Sequence, residues 1–203
     1  MIKYRPMYLY EKLIAEIKEL LPVYSRLLNP GASQQHVEAF LKSTNLEIPV
    51  GFIDFYTVCD GAKPYEVTDI GDMCFYSLEG IITAKKMFDE ILDEKTEERK
   101  YFCWHKDWLP IANDYSYDTL AIDTTGKGTG KKGCVLERSK DLFEGDTIGI
   151  IAPDFNTYIQ NWASRVKQGQ IYSLTEKTVD GMNERIYDDD NYLTAIDRVH
   201  LKL

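Results

Sequence analysis

Apolar residues recur at three- and four-residue spacing in several stretches of the chain, and this spacing predicts amphipathic helices. The first helix is predicted over residues 7–21. Ser33 is a favourable N-cap for a second helix, because its hydroxyl can accept a backbone N–H of the first turn. A third helix is predicted to open at Pro49 and to end at Gly61, since glycine suits the left-handed position that closes many helices.

The middle of the chain changes to short apolar runs separated by polar or glycine-rich turns, a pattern typical of strands. Ser77 is expected to cap a fourth helix in this region, and Pro153 is expected to start a fifth. Helices thus come first and last, with a run of strands between them. The sequence therefore predicts an α+β fold with a central, mostly antiparallel sheet and helices packed around it. The expected strands cover residues 73–76, 109–112, 119–123, 133–137 and 148–152.

The periodic pattern weakens after residue 169. We expect one domain over residues 1–169, followed by a C-terminal extension over residues 170–203. A few apolar residues in the extension suit a short segment docked on the domain. They are Leu193, Ile196, Val199, Leu201 and Leu203.

The 203 residues contain 24 Lys and Arg against 33 Asp and Glu, a formal net charge of −9. This surplus of acid argues against a nucleic-acid partner, because such affinity comes mainly from cations that face phosphates. It also disfavours a membrane partner, since anionic lipid attracts basic surfaces. Mixed charges from Asp89 to Lys100 predict a solvated helix face.

Targeting signals and cysteines both indicate a reducing compartment. The N-terminal residues lack the uninterrupted apolar segment of a signal peptide, and no stretch reaches the roughly 18 apolar residues that span a bilayer. The four cysteines are widely spaced, without a C-x-x-C pair, so neither a zinc knuckle nor a redox motif is indicated. We expect free thiols and a cytoplasmic location. The cysteines are Cys59, Cys74, Cys103 and Cys134.

Residues 124–133 form a glycine-rich stretch that invites comparison with a phosphate-binding loop. The P-loop needs a second glycine five residues after the first, then Lys, a hydroxyl residue and a helix. Counting five from Gly126 reaches Lys131, and counting five from Gly128 reaches Gly133 with no lysine after it. A mobile hairpin turn is the better interpretation, because a strand-like run comes next.

Residue types that carry enzyme chemistry do not form a complete motif. No two histidines stand at the spacing of a helical metal site, and no G-x-S-x-G elbow is present. Cys103 and His105 would share one face of a strand, but an aromatic strand or turn is the simpler interpretation. We therefore expect no catalytic residue, no metal, no cofactor and no enzyme activity. The histidines are His36, His105 and His200.

The richest cluster of carboxylates is Asp114, Asp118 and Asp123, around a turn that also holds Tyr115 and Tyr117. Three interpretations stay open. An ordinary polar hairpin turn comes first, because Asn and Asp accept local backbone hydrogen bonds. A recognition surface comes second, because tyrosines beside acids supply contact area and complementarity to a basic partner. Paired acids for glycoside hydrolysis or for a divalent cation come third.

Two motifs resemble the SUKH superfamily, which includes the yeast cell-wall-assembly regulator and many bacterial immunity proteins. The first motif is IPVGFIDFY, from Ile48 to Tyr56, which leads into Asp60 and Gly61. The second begins with WLPIAND at Trp108 and continues through DTLAID and GCV. The order and spacing of the motifs carry the likeness, which covers residues 31–169.

The resemblance implies an α+β domain that binds a partner protein. Members neutralise secreted or contact-delivered toxins, often nucleases, and another branch regulates cell-wall synthesis through protein contacts. We expect an immunity protein that binds a cognate toxin, with a regulatory interaction module of the cell-wall-assembly type as the alternative. The acidic surplus would attract a basic toxin.

Residues of the family motifs are expected to be structural, and the polar turn is expected to supply contacts to the toxin. The expected contact residues are Asp114, Tyr115, Tyr117 and Asp118. The expected structural residues are Pro49, Phe55, Tyr56, Gly61, Trp108, Leu109, Pro110, Ile111, Asp123, Gly133 and Val135.

Overall fold

The computed structural model describes residues 6–20, 28–63, 74–94, 102–113, 118–139, 146–168, 175–179 and 182–186. Within these residues the chain forms five helices and seven strands. The helices are α1 (Pro6–Leu20), α2 (Gln34–Ser43), α3 (Phe52–Val58), α4 (Leu78–Asp93) and α5 (Phe155–Lys167). The strands are β1 (Cys74–Phe75), β2 (Trp108–Asn113), β3 (Thr119–Asp123), β4 (Val135–Ser139), β5 (Thr147–Ala152), β6 (Thr175–Val179) and β7 (Met182–Ile186).

Strands β1 to β5 form one sheet in which neighbours along the chain are neighbours in space, and every pair is antiparallel. Trp108 pairs with Asp123 at one end of the β2–β3 ladder, and Asn113 pairs with Thr119 at the other. The register shifts after Pro110, which has no N–H to donate to a ladder. The predicted α+β fold with an antiparallel meander is confirmed.

Alternating residues of the sheet enter two different cores, as the two-residue period of a strand requires. On β3, Leu120 and Ile122 belong to the larger cluster, whereas Ala121 belongs to the smaller one. Helix α4 contributes side chains to both cores: Ile81 belongs to the larger cluster, and Phe88, two turns later, belongs to the smaller one. Both faces of the sheet are therefore covered.

The larger core is rich in aromatic rings and gathers side chains from all five helices. Phe52 stacks on Phe40 of α2 and tilts against Phe155 of α5, with ring centroids 5.8 Å and 5.1 Å apart. Helix α1 adds its apolar stripe, including the fully buried Ile17. The periodic apolar residues of α1, α3 and α5 thus meet in one core.

The smaller core contains Trp104 and Trp108, whose rings meet edge to face with centroids 5.5 Å apart. A buried ion pair closes it, in which Nη2 of Arg138 lies 2.7 Å from Oδ2 of Asp146. The guanidinium also lies over the ring of Phe102, 4.5 Å from its centroid. A charge this deeply buried needs such partners, because its desolvation would otherwise outweigh any gain.

The helix ends agree with the sequence at two caps and differ at both ends of the third helix. Hydroxyls of Ser33 and Ser77 accept backbone N–H groups of α2 and α4, as predicted. The prediction that the third helix opens at Pro49 and closes at Gly61 is wrong, since α3 begins at Phe52, after an N-cap at Gly51, and ends at Val58. Gly61 has φ +68°, and a Cβ there would lie 2.3 Å from the carbonyl oxygen of Tyr76. The glycine lets two backbone segments pass close together.

In the C-terminal extension, β6 and β7 pair with each other as an antiparallel hairpin that the sequence pattern did not predict. The apolar residues expected to form a docking segment, 193–203, lie outside the described residues. The boundary at residue 169 stays a prediction. None of the helices in the described ranges is long and apolar enough to cross a membrane.

Candidate partner-binding groove

A groove of about 590 Å³ opens between the end of α2, the outer face of α4 and the segment that enters β2. We call it the α2–α4 groove. Its lining comprises Phe40, Ser43, Thr44, Asn45, Leu46, Ile81, Ile82, Lys85, Lys86, Asp89, Glu90, Asp93, Lys106, Asp107 and Leu109. This volume is within the range of sites that hold a ligand or the side chains of a partner.

The floor of the groove is apolar. Phe40, Ile81 and Leu109 are each 1% exposed and belong to the larger core, so the floor is held by the packing of the whole domain. Leu46 and Ile82 are partly exposed beside them. An apolar floor of this kind suits an aliphatic or aromatic side chain from another molecule.

One wall of the groove is the last two turns of α4, which carry Asp89, Glu90 and Asp93. Asp89 is held in place, because its Oδ1 accepts the indole N–H of Trp104 at 3.0 Å and its Oδ2 contacts Lys85. Glu90 and Asp93 are more open, with about two thirds of each side chain exposed. The wall therefore combines one fixed carboxylate with two exposed ones.

Asp107 places a fourth carboxylate in the groove. Its Oδ2 accepts hydrogen bonds from the hydroxyl of Thr125 at 2.9 Å and from the ammonium of Lys127, 3.0 Å away. The hydrogen bond from Lys127, and to a smaller extent the one from Thr125, hold the pKa of Asp107 below its usual value. Asp107 therefore stays ionised throughout the neutral range.

The glycine-rich loop from residue 124 to residue 133 is built around the buried Asp123. Oδ1 of Asp123 accepts the N–H groups of Thr125 and Gly126, at 3.3 Å and 2.7 Å. Oδ2 accepts the N–H and the hydroxyl of Thr129, at 2.8 Å and 2.9 Å. The loop lies over Trp108, since a Cβ on Gly128 would come within 2.4 Å of its indole nitrogen. These bonds replace the expected mobile turn with a structured loop.

The expected contact residues fall mostly outside the described part of the chain. Asp114, Tyr115 and Tyr117 lie there, so their contribution stays a prediction. Asp118 is partly buried and directly precedes β3. It stands at the Asn113 end of the β2–β3 ladder, about 17 Å from the Trp108 end, given ~3.4 Å per residue. The α2–α4 groove lies at the Trp108 end.

The residues expected to be structural lie in the core or in its turns. Trp108, Asp123 and Val135 are at most 1% exposed, and Gly133 has φ +80°. The carbonyl of Pro49 accepts the N–H of Phe52 at the start of α3. The others are buried where the sequence pattern indicated: Phe55, Tyr56, Leu109, Pro110 and Ile111, with Gly61 at the crossing already described.

Asp123 cannot be one of a pair of catalytic or cation-binding acids with Asp114 or Asp118, because both of its carboxylate oxygens accept hydrogen bonds from its own loop. Among the residues that the structure describes, no three His, Cys, Asp or Glu side chains converge as metal ligands would. His105 accepts the N–H of Asp107 through Nδ1, a local turn contact. His200 lies outside the described residues.

The acids of α4 are the part of this surface that the sequence pattern did not single out. Their spacing predicts only a solvated helix face, which agrees with the exposure of Glu90 and Asp93. One signal was available: carboxylates crowd the C-terminal end of a helix, where the helix dipole disfavours negative charge. The groove itself depends on α2, α4 and residue 109 meeting, which no local pattern contains.

Comparison with protein families identifies a family for this chain. The family described as SMI1 / KNR4 family (SUKH-1) matches residues 31–161, well over half of the chain. The matched segment runs from just before α2 into α5 and includes every residue that lines the groove. A comparison with curated proteins found no match.

Proposed function

Because the chain belongs to the SMI1/KNR4 family (SUKH-1), we propose that it is an immunity protein that binds a cognate bacterial toxin and neutralises it. This family comprises immunity proteins and cell-wall regulators. Its members are generally not catalytic, and they bind partner proteins such as toxins. The family match over residues 31–161 is the observation that carries the proposal.

The make-up of the α2–α4 groove supports a protein partner over a small substrate. Its apolar floor is bordered by charged side chains that already hold one another in ion pairs. Protein interfaces combine an apolar centre with a polar, solvated rim in this way. An interface of this kind can bind a protein without any catalytic side chain.

The net charge of −9 supports a basic toxin. A nuclease must present cations to the phosphates of its substrate, so an acidic protein can compete for the same surface. We propose a nuclease as the toxin class on this ground, and blockage of its active site or substrate groove as the mode of neutralisation. The immunity protein would act in the cytoplasm, where such a toxin meets its substrate.

The test is protection in a living host. The domains encoded by the genes next to this one are screened for toxicity, and any toxic domain is expressed from an inducible promoter in a bacterial host, with and without the chain. We expect growth only when the chain is present, and a purified complex of the two proteins. If the folded chain gives neither protection nor a complex, the immunity proposal is overturned in favour of the regulatory branch of the family.

The predicted turn contacts are tested in the same assay. A variant with Asp114→Ala, Tyr115→Ala, Tyr117→Ala and Asp118→Ala is expressed at the level of the wild type. If these residues contact the toxin, we expect weaker protection from a variant that melts at the wild-type temperature. Undiminished protection would remove all four residues from the interface.

A further inference from the structure

We infer that the α2–α4 groove receives a cationic, amphipathic segment of the partner protein. Its apolar side chains would cover the floor, and its Arg or Lys side chains would pair with the acids of α4. The inference rests on the proposed function for the identity of the partner, and it adds the binding surface and the chemistry of the bound segment.

The distribution of charge along α4 is the first argument. Its last turn contains no basic residue, and Glu94 follows Asp93 at the C-cap. Negative charge at this end opposes the helix dipole, so these acids lower the stability of the isolated helix. Departures from the locally favoured choice are expected at functional sites. A bound cation would reverse the unfavourable interaction.

The present partners of these acids can be displaced. Lys86 lies 3.8 Å from Glu90, with 77% of its side chain exposed. Lys106 lies 2.8 Å from Asp93 and is 53% exposed. Ion pairs this open contribute little, because water and salt screen them. An arginine from the partner can form two parallel hydrogen bonds with a carboxylate, a stronger arrangement.

The groove also holds carboxylates that do not need to move. Asp89 is fixed by Trp104 and Lys85, and Asp107 is fixed by Thr125 and Lys127 on the facing side, so each accepts a further donor only through its remaining lone pairs. Preorganised acceptors lose little conformational freedom on binding. Between them lie the partly exposed Leu46 and Ile82, which are supported by the buried residues of the floor. Fixed acids beside an apolar floor match a segment with cationic and apolar side chains on neighbouring turns.

The experiment compares two double variants that change the net charge of the protein by the same amount. Glu90→Lys with Asp93→Lys reverses the groove wall. Glu11→Lys with Glu38→Lys reverses two exposed acids on α1 and α2 that do not line the groove. A third variant, Glu90→Gln with Asp93→Asn, removes the groove charges without reversing them. The probes are the toxin domain identified by the protection assay and a synthetic helical peptide with leucine on one face and arginine on the other.

We expect the groove reversal to weaken binding of both probes by about tenfold or more, and the α1/α2 reversal to change it by less than about threefold. The neutral variant should fall between them. The melting temperature of the groove reversal should change little, since the gain from lysine at a helix C-terminus offsets the loss of the exposed pairs with Lys86 and Lys106. A peptide of the same pattern with glutamate for arginine should not bind.

The outcomes separate this inference from the proposed function. If the toxin binds the wild type and both reversals equally, the groove inference is overturned while the immunity function stands. If the peptide binds in the groove but the toxin does not bind, the immunity function is overturned. If the groove reversal misfolds, the neutral variant decides, and unchanged binding by that variant overturns the groove inference.

Discussion

Asp123 shows at the scale of single residues how a buried carboxylate can be wholly committed to structure. It accepts four hydrogen bonds from the loop that follows it, three from backbone N–H groups and one from the hydroxyl of Thr129. The loop in turn carries Thr125 and Lys127, which hold Asp107 at the α2–α4 groove. Asp123, a candidate for paired-acid catalysis or cation binding from sequence alone, thus helps to position Asp107 at the groove.

Replacing Asp123 by Asn should destabilise the protein by about 2 kcal/mol. The amide can keep the bonds to Thr125 and Gly126, but its NH₂ group would face the donors of Thr129, leaving buried donors unpaired. Urea unfolding measures the change. The matched control is Glu47→Gln on an exposed side chain that pairs with Lys132, for which we expect less than about 0.5 kcal/mol. Equal effects would contradict this account of Asp123.

At the scale of elements, α4 connects the fold to the groove. Its N-terminus is capped twice, since Ser77 accepts the N–H of Gly80 and Oδ1 of Asp60 accepts the N–H of Leu78 at 2.8 Å. Its apolar face enters both cores, and its C-terminal end carries the acids of the groove. The cap from Asp60 fixes where the helix starts and therefore where its acids stand.

Replacing Asp60 by Ala should lower the free energy of unfolding by about 1 to 2 kcal/mol, the usual effect of removing a helix cap. Asp60→Asn keeps an acceptor oxygen at the same position and should lose less than half as much. Chemical denaturation of both variants is the measurement. Equal losses would mean that Asp60 acts through its negative charge and not as the acceptor for Leu78.

The elements also show what a one-dimensional pattern predicts well. Periodicity predicted α1 within about a residue at each end, and the hydroxyls of Ser33 and Ser77 predicted the starts of α2 and α4. These features depend on residues a few positions apart. The predicted end of α3 at Gly61 was wrong because this glycine has another role. A side chain at position 61 would clash with the backbone of Tyr76, a contact between residues distant in sequence.

At the scale of the whole molecule, the aromatic core buries several phenols and one thiol away from water. Burial raises the pKa of Tyr10, Tyr56 and Tyr158 above that of a free phenol, and it raises the pKa of Cys59 to about 12. The hydroxyl of Tyr56 has no hydrogen-bond partner among the described residues. The folded protein thus keeps these protons at pH values where an unfolded chain releases them.

The protein should therefore unfold in alkali. The stability that these groups contribute should be full below about pH 8 and fall as the pH rises above it, since the unfolded chain loses protons that the folded state retains. Each such group steepens the fall by about 1.4 kcal/mol per pH unit between its two pKa values. Urea unfolding between pH 7 and pH 11 measures the slope. A flat profile to pH 11 would contradict the burial of these groups.

Replacing Tyr56 by Phe should make this alkaline loss shallower. It should also raise stability at pH 7 by about 1 kcal/mol, because an unpaired buried hydroxyl is removed. Tyr8→Phe is the matched control, since Tyr8 is 70% exposed, and its pH profile should follow that of the wild type. Parallel profiles for Tyr56→Phe and the wild type would contradict a buried, unpaired hydroxyl at Tyr56.

The sequence by itself determined the order of the five helices, the five-stranded antiparallel meander and the family, because each depends on local periodicity or on motifs in a fixed order. It also determined the acidic surplus, though not where that surplus acts. The tertiary structure alone decided that the end of α2, the face of α4 and Leu109 enclose one groove, and that Asp60 and Asp123 serve as a cap and a loop anchor. Those juxtapositions join residues far apart along the chain, so the packing of the core, and no local preference, brings them together.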